Sequence, residues 1–172
     1  MQVRRKGVAR LVKAALGEAI TSNDKTAYMD RNGIVRVRKA TASVSTTTKA
    51  RIELLGLMVL LAGRNGRLCK SSNPDALNGA VQHMLDRLCN SIVNADMNLL
   101  VNGREGKSRK ERFTSAVEVI RKALGSDAAM AAANLRRILN GESVEVCGKS
   151  VKGASVAGEC KSRIEQVLAK LG

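Results

Sequence analysis

The chain has 172 residues, the length of one domain or of one domain with extensions, and 44% of its residues are hydrophobic. Nearly all of these are aliphatic, with one Phe, one Tyr and no Trp, a composition that favours packed helices over a sandwich built on aromatic pairs. The net charge of +15, from 30 Lys and Arg against 15 Asp and Glu, predicts a polyanionic partner, which is usually nucleic acid.

Several function classes are disfavoured by what the sequence lacks. The longest apolar stretch, residues 54–62, is too short to span a bilayer, and the start of the chain does not resemble a signal peptide. One histidine, no nucleophile elbow, no phosphate-cradling glycine motif and no close carboxylate pair predict that the protein is not an enzyme. We therefore expect no cofactor, no small-molecule substrate and no membrane partner.

The four cysteines, Cys69, Cys89, Cys147 and Cys160, form no C-x-x-C pair and have no histidine at ligand spacing. A zinc site is therefore not expected. Because nothing marks the chain as secreted, we expect reduced thiols that pack as small apolar residues.

Residues 1–45 are predicted to form a basic N-terminal extension. Apolar residues at helical spacing predict an amphipathic helix over residues 1–20, with basic side chains on its other face. After the Asn32-Gly33 turn signal, "IVRVRKATASVSTTT" is β-branched and polar, which indicates a strand or an extended arm.

Two helices are predicted next, over residues 46–63 and 74–102, joined by the basic loop "GRNGRLCKSSN". Thr46–Thr48 can cap the first helix, and Ser72 or Asn73 can cap the second, with Pro74 at its first position. The second helix is the longest and is apolar on two sides, so it has to be covered from two directions.

A second basic loop, "GREGKSRKER", follows and leads into a short helix that Thr114 or Ser115 caps and Gly125 ends. An alanine-rich helix is expected from residue 126 to Asn140-Gly141. Residues 142–172 are expected to be a C-terminal extension with a small hairpin or loop and a last amphipathic helix.

This order of elements resembles the core histones, most closely the 2B type. The strongest match is residues 107–124, "KSRKERFTSAVEVIRKAL", which is similar to the basic loop and capped short helix of that histone. The next segment, "GSDAAMAAANLRRILNG", is similar to its extra C-terminal helix, so the resemblance covers residues 46–141. The few aromatics and both extensions suggest a divergent member, from a large DNA virus or from another unusual lineage. Alternatively, "LRRILNGESVEVCGKS" is similar to the start of a 2A-type docking tail.

The resemblance implies an all-α histone fold in which a long central helix crosses its copy in a partner chain. It implies a structural DNA-packaging protein that binds duplex DNA without sequence specificity, pairs with a 2A-like histone, and joins other core histones in an octamer. The expected location is the nucleus, in chromatin, or the virion and the host nucleus. The predicted DNA-binding residues are Arg4, Arg5, Lys6, Arg36, Arg38, Lys39, Arg64, Arg67, Lys70, Ser71, Lys107, Ser108, Arg109, Lys110, Arg112 and Thr114.

Two other interpretations stay open. In a ribbon–helix–helix regulator, "IVRVRKATASV" would be the strand that reads the major groove, followed by the two long helices. An RNA-binding or nucleocapsid protein is the other, although the lack of stacking aromatics argues against single-strand recognition.

Overall fold

The computed structural model describes residues 45–108 and 111–172, together with the backbone of two short strands, 26–29 and 35–38. The predicted helix over residues 1–20 lies outside these ranges. Arg4, Arg5, Lys6, Lys39, Arg109 and Lys110 of the predicted interface also lie outside the described residues.

The described part of the chain is mostly helical, as the aliphatic composition predicts, and it adds two short antiparallel hairpins. Each hairpin joins strands that are neighbours in sequence. The elements in chain order are β1 Thr26–Met29, β2 Val35–Arg38, α1 Thr46–Leu61, α2 Gly66–Cys69, α3 Ala76–Ile92, α4 Met97–Asn102, α5 Ala116–Leu124, α6 Asp127–Leu139, β3 Val144–Val146, β4 Lys149–Val151 and α7 Gly158–Leu168.

Helix α1 is the centre of the fold. Of its 16 residues 13 are buried, which is expected for a helix that is apolar around its whole circumference. It packs against α3, α4, α5 and α6, and β2 also contacts it. Its first turn is capped by Ser45, whose Oγ accepts a hydrogen bond from the Thr48 N–H at 3.1 Å, one residue before the predicted caps. The helix ends at Leu61, and Gly63 leaves it with φ +70°.

The long helix predicted over residues 74–102 is two helices, so this prediction is wrong in its continuity. Helix α3 ends at Ile92, and α4 begins at Met97 after a turn. Asp96 holds that turn, because its carboxylate accepts from the Leu99 N–H at 3.2 Å and its own N–H donates to Thr47 Oγ1 at 2.9 Å. The apolar spacing continues across the break, which is why periodicity alone did not reveal it.

The start of α3 also differs from the prediction. The helix begins at Ala76, two residues after Pro74, and the cap position is Asp75, which makes no side-chain capping bond. The Asn73 side chain instead accepts a hydrogen bond from the Asp75 N–H at 3.0 Å, a local turn before the helix.

The C-terminal elements are confirmed. Helices α5 and α6 occupy the predicted segments, a hairpin follows, and α7 is the last helix. Residues 142–172, however, are not an appendage to the core. Val146, Val151 and Ile164 are buried in the same apolar cluster as α1.

Both apolar sides of α3 are therefore covered within the chain. Helix α1 covers one side, and α7 and β4 also pack against α3. Leu77, Met84 and Leu88 are fully buried without any second polypeptide. This arrangement differs from the expected pairing, in which a partner histone covers the second side. Among the described residues, Met130 is the large apolar side chain that is exposed, at 47%.

The expectation of reduced thiols is wrong. Cys69 pairs with Cys147 and Cys89 pairs with Cys160, each as a disulfide with a Cα–Cα distance of 5.4 Å. No free cysteine is left. The partners are 78 and 71 residues apart, so only the tertiary fold brings them together and no local motif announces the bonds.

Candidate nucleic-acid interface

We call the second basic loop, residues 103–113, the cationic loop, and the structure describes its residues 103–108 and 111–113. The Arg104 N–H donates to the Phe113 carbonyl at 2.7 Å, and the Phe113 N–H donates back to the Arg104 carbonyl at 2.8 Å. This reciprocal pair closes the loop at its base as in an antiparallel ladder. Gly103 enters the loop with φ +71°, a conformation that favours glycine.

Glu111 organises the interior of the cationic loop. Its carboxylate accepts a hydrogen bond from the Lys107 N–H at 3.0 Å, and its carbonyl accepts from Arg104 Nε at 2.6 Å. The Arg112 N–H donates to the Ser108 carbonyl at 3.1 Å. These bonds hold the described residues of the loop in one backbone conformation, although their positive charges repel one another.

Arg51 joins the cationic loop to the core. Its guanidinium donates to the Thr114 carbonyl at 2.8 Å and lies 4.2 Å from the centre of the Phe113 ring. The side chain is fully buried, and desolvation lowers its pKa to about 10, so it stays protonated at neutral pH. We did not predict Arg51 from the sequence. A lone arginine at the start of "RIELLGLMVLL" is the signal that could have identified it.

The cationic loop presents exposed basic side chains to solvent. Arg104, Lys107 and Arg112 are all exposed, and the Lys107 and Arg112 side chains form no ion pair with a described residue. Two further predicted site residues, Ser108 and Thr114, have structural hydrogen bonds. Ser108 Oγ accepts from the Glu111 N–H at 3.3 Å, and the Thr114 carbonyl accepts from Arg51.

Helix α5 begins directly after the cationic loop, as the sequence predicts. Ser115 is its cap, and its Oγ accepts a hydrogen bond from the Glu118 N–H at 3.1 Å. The positive end of the helix dipole therefore adds to the charge of the loop that precedes it.

The first basic loop, residues 63–73, is less suited to bind phosphates. Arg64 is engaged by Asp127, with 2.6 Å between its Nη2 and Oδ2. Arg67 is half-buried, and the Ser71 carbonyl accepts a hydrogen bond from Lys149 Nζ at 2.5 Å. Of the four residues predicted here, Lys70 is the cation that is exposed without a partner.

The two basic loops lie at opposite ends of α1. The cationic loop is bound at Arg51 in the second turn, whereas the first loop begins beyond Leu61. Ten residues of helix separate these positions, which corresponds to about 15 Å along the axis. The two loops of one copy therefore do not form one continuous basic surface, and the cationic loop is the one with several exposed cations.

The strand proposed for a ribbon–helix–helix regulator is paired within the chain. Val35–Arg38 is antiparallel to Thr26–Met29, with Arg36 opposite Tyr28 and Arg38 opposite Thr26. A ribbon–helix–helix dimer would need the corresponding strand to pair with a second copy.

A buried polar cluster lies beside α3 but has a structural role. Ser91 Oγ donates to Glu53 Oε2 at 2.5 Å, and Arg87 Nε lies 3.5 Å from Glu53 Oε1. Burial raises the pKa of Glu53, while the bond from Ser91 and the charge of Arg87 act in the opposite direction. In the part of the chain that the structure describes, no group of His, Cys, Asp and Glu side chains is arranged to hold a metal ion.

Comparison with protein-family models, with curated proteins and with solved structures finds no significant match to this chain. None of the helices that the structure describes is long and apolar enough to cross a membrane.

Proposed function

We propose that this chain is a structural DNA-packaging protein that binds duplex DNA through its phosphates and without sequence preference. The observation that carries the proposal is the cationic loop, in which Lys107 and Arg112 are exposed without an ion pair to a described residue. Arg104 is also exposed, and its Nε is bonded to the Glu111 carbonyl. Glu111 holds the loop from within, and Arg51 anchors its end at Phe113 and Thr114. A backbone that its own hydrogen bonds already hold loses little conformational entropy on binding, and each cation that meets a phosphate releases a counterion.

The distribution of charge supports a polyanionic partner. Residues 1–44 contain 10 basic and 3 acidic side chains, so they supply nearly half of the net charge of +15. This segment would act as a basic arm that adds further phosphate contacts to those of the cationic loop. Contacts of this kind follow the phosphate backbone and carry no base information.

Duplex is a better partner than single-stranded nucleic acid. Stacking platforms for unpaired bases need exposed aromatic rings, and the chain has one Phe and one Tyr. Phe113 is half-buried and stacks on Arg51. Without stacking on aromatic rings, the affinity would come from contacts between basic side chains and phosphates, and a duplex presents phosphates at a regular and dense spacing.

The proposal includes a histone-like role, with a 2A-like partner in a nucleosome-like particle, as the resemblance of residues 46–141 implies. Because both apolar sides of α3 are covered within the chain, such a partner would have to bind a closed, polar surface. Two disulfides favour the virion over the nucleus as the location, since disulfides persist where the surroundings are oxidising.

The test is equilibrium binding of the full chain to fluorescent duplexes of equal length and different sequence, measured by anisotropy from 50 to 300 mM salt. The proposal predicts equal affinities, a steep loss with salt, and weaker binding to single-stranded RNA. A strong preference for one short palindrome would favour a regulator of the ribbon–helix–helix type instead. Tighter binding to RNA would favour a nucleocapsid protein.

A further inference from the structure

The two disulfides have different environments. Cys89–Cys160 joins α3 to α7, and the Cys160 side chain is 1% exposed within the apolar cluster. Cys69–Cys147 joins the end of α2 to the turn between β3 and β4, where Cys147 is exposed and Cys69 is half-buried. Cys89 is half-buried, as Cys69 is, so the bonds differ in their other halves: Cys160 is buried, whereas Cys147 is exposed. A thiolate must reach a sulfur atom to open a disulfide, so Cys147 makes the second bond the more accessible target.

The turn that carries Cys147 presents this residue to solvent. Cys147 and Gly148 both have positive φ, +55° and +72°, which is the pattern of a two-residue type I′ hairpin turn. A residue other than Gly, Asn or Asp is uncommon in this conformation and is strained there by about 1–2 kcal/mol. The tertiary contacts of the hairpin therefore hold Cys147 at the tip of the turn.

The other half of the bond is suited to act as the leaving group. Lys149 Nζ donates to the Leu68 carbonyl at 3.1 Å and to the Ser71 carbonyl at 2.5 Å, so an ammonium group is held against the backbone on both sides of Cys69. A nearby cation stabilises a thiolate, which makes the Cys69 sulfur a better leaving group than an isolated cysteine.

We propose that Cys69–Cys147 is a thiol-exchange site for dithiol reductants, whereas Cys89–Cys160 is a purely structural bond. One thiolate of the dithiol attacks the Cys147 sulfur, and the bond to Cys69 breaks with release of the Cys69 thiolate, which takes a proton. The second thiol of the dithiol then displaces Cys147. Two electrons pass to the protein disulfide, and the dithiol becomes a cyclic disulfide. This site is independent of the proposed DNA binding.

Opening the bond would loosen the first basic loop. Cys69–Cys147 and the two hydrogen bonds from Lys149 link residues 66–71 to the C-terminal hairpin, and Leu68 is buried in the apolar cluster that includes Val144 and Val146. After reduction the covalent link is lost and the lysine bonds and the burial of Leu68 remain, so we expect this segment to exchange its amide hydrogens faster while α3 and α7 stay protected.

The experiment uses the oxidised full chain under native conditions. It is incubated with dithiothreitol for increasing times, quenched with acid, alkylated and digested, and each cysteine is quantified by mass spectrometry. We expect Cys69 and Cys147 to be alkylated at least about ten times faster than Cys89 and Cys160. In urea, where the fold no longer shields either bond, the two rates should become similar.

The proposal is overturned if both bonds open together in the native protein, or if Cys89–Cys160 opens first. Alkylation of all four cysteines without any reductant would also overturn it. A variant with Cys69→Ser and Cys147→Ser provides an independent measurement, since its residues 66–71 should exchange hydrogen as fast as in the reduced protein. Hydrogen exchange as slow as in the oxidised wild type would contradict the claim that the Cys69–Cys147 bond holds residues 66–71 in place.

Discussion

The guanidinium of Arg51 lies 4.2 Å from the centre of the Phe113 ring, across 62 positions of sequence, and joins the central helix to the base of the cationic loop. Burying an arginine is costly unless its charge and donors are compensated. Here the ring face and the Thr114 carbonyl compensate it. The loop that we propose to bind DNA is therefore anchored at its end by a buried side chain of the central helix.

Replacement of Arg51 by Met should leave the Thr114 carbonyl without its donor and remove the contact with Phe113. We expect a loss of about 1–3 kcal/mol in the free energy of unfolding. Hydrogen exchange in residues 103–113 should also become faster. The control is Arg64→Met, which removes an exposed ion pair to Asp127 and should cost no more than about 1 kcal/mol. Equal losses in the two variants would contradict a special role for Arg51.

Replacement of Gly103 by Ala should distort the entry to the cationic loop. A Cβ atom there would lie 2.5 Å from the Phe113 carbonyl oxygen, and φ is +71°. We expect destabilisation by more than about 1 kcal/mol, measured by urea unfolding. Gly79→Ala is the matched control, because a Cβ in this first turn of α3 meets nothing within 4 Å, and the variant should gain about 0.5–1 kcal/mol. A neutral Gly103→Ala variant would show that the loop base is loose.

The buried Glu53 should make stability depend on pH. Burial raises its pKa in the folded state above the ordinary value of 4.5. Its contribution to stability is therefore fully present below pH 4.5 and is lost as the pH rises through the folded pKa. Gln does not titrate, so the free energy of unfolding of Glu53→Gln, measured relative to that of the wild type, should be higher at pH 7 than at pH 4. Urea unfolding of both proteins at the two pH values checks this, and a constant difference between them would contradict the pKa direction.

The chain should fold alone. Its apolar cluster is closed by its own helices and by the β3–β4 hairpin, so no half of the core is missing. We expect cooperative thermal unfolding and sedimentation as a single chain under oxidising conditions. An isolated chain that is unfolded or aggregated, and that folds only when a histone-fold partner is added, would support the handshake pairing and contradict the enclosed core.

Much of the fold could be predicted from local signals. Helix stops at Gly103, Gly125 and Gly141 coincide with positive φ, and Ser115 caps α5 as its position suggests. The prediction of one long helix was wrong because the turn at residues 93–96 is held by the hydrogen bond between Asp96 and Thr47, which are 49 positions apart. Apolar spacing does not report such a contact.

The candidate site was predicted in part. The sequence identified the cationic loop, where five basic residues fall within ten positions. The sequence equally predicted the first loop to bind DNA, although Arg64 is paired with Asp127 and the Ser71 carbonyl accepts a hydrogen bond from Lys149. It did not identify Arg51 or either disulfide. These features depend on which distant segments meet, and charge density or cysteine spacing carries no such information.

The most direct test of the proposal that the cationic loop binds DNA compares two double variants, each of which removes one Lys and one Arg. Lys107→Ala with Arg112→Ala alters the cationic loop, whereas Lys161→Ala with Arg137→Ala removes exposed cations on α7 and α6. The measurement is the salt dependence of duplex binding. We expect the loop variant to reduce the slope of log affinity against log salt by about 2, with unchanged thermal unfolding. The matched variant should keep the wild-type slope. Equal slopes in the loop variant and the wild type would contradict the proposal that this loop binds the phosphates.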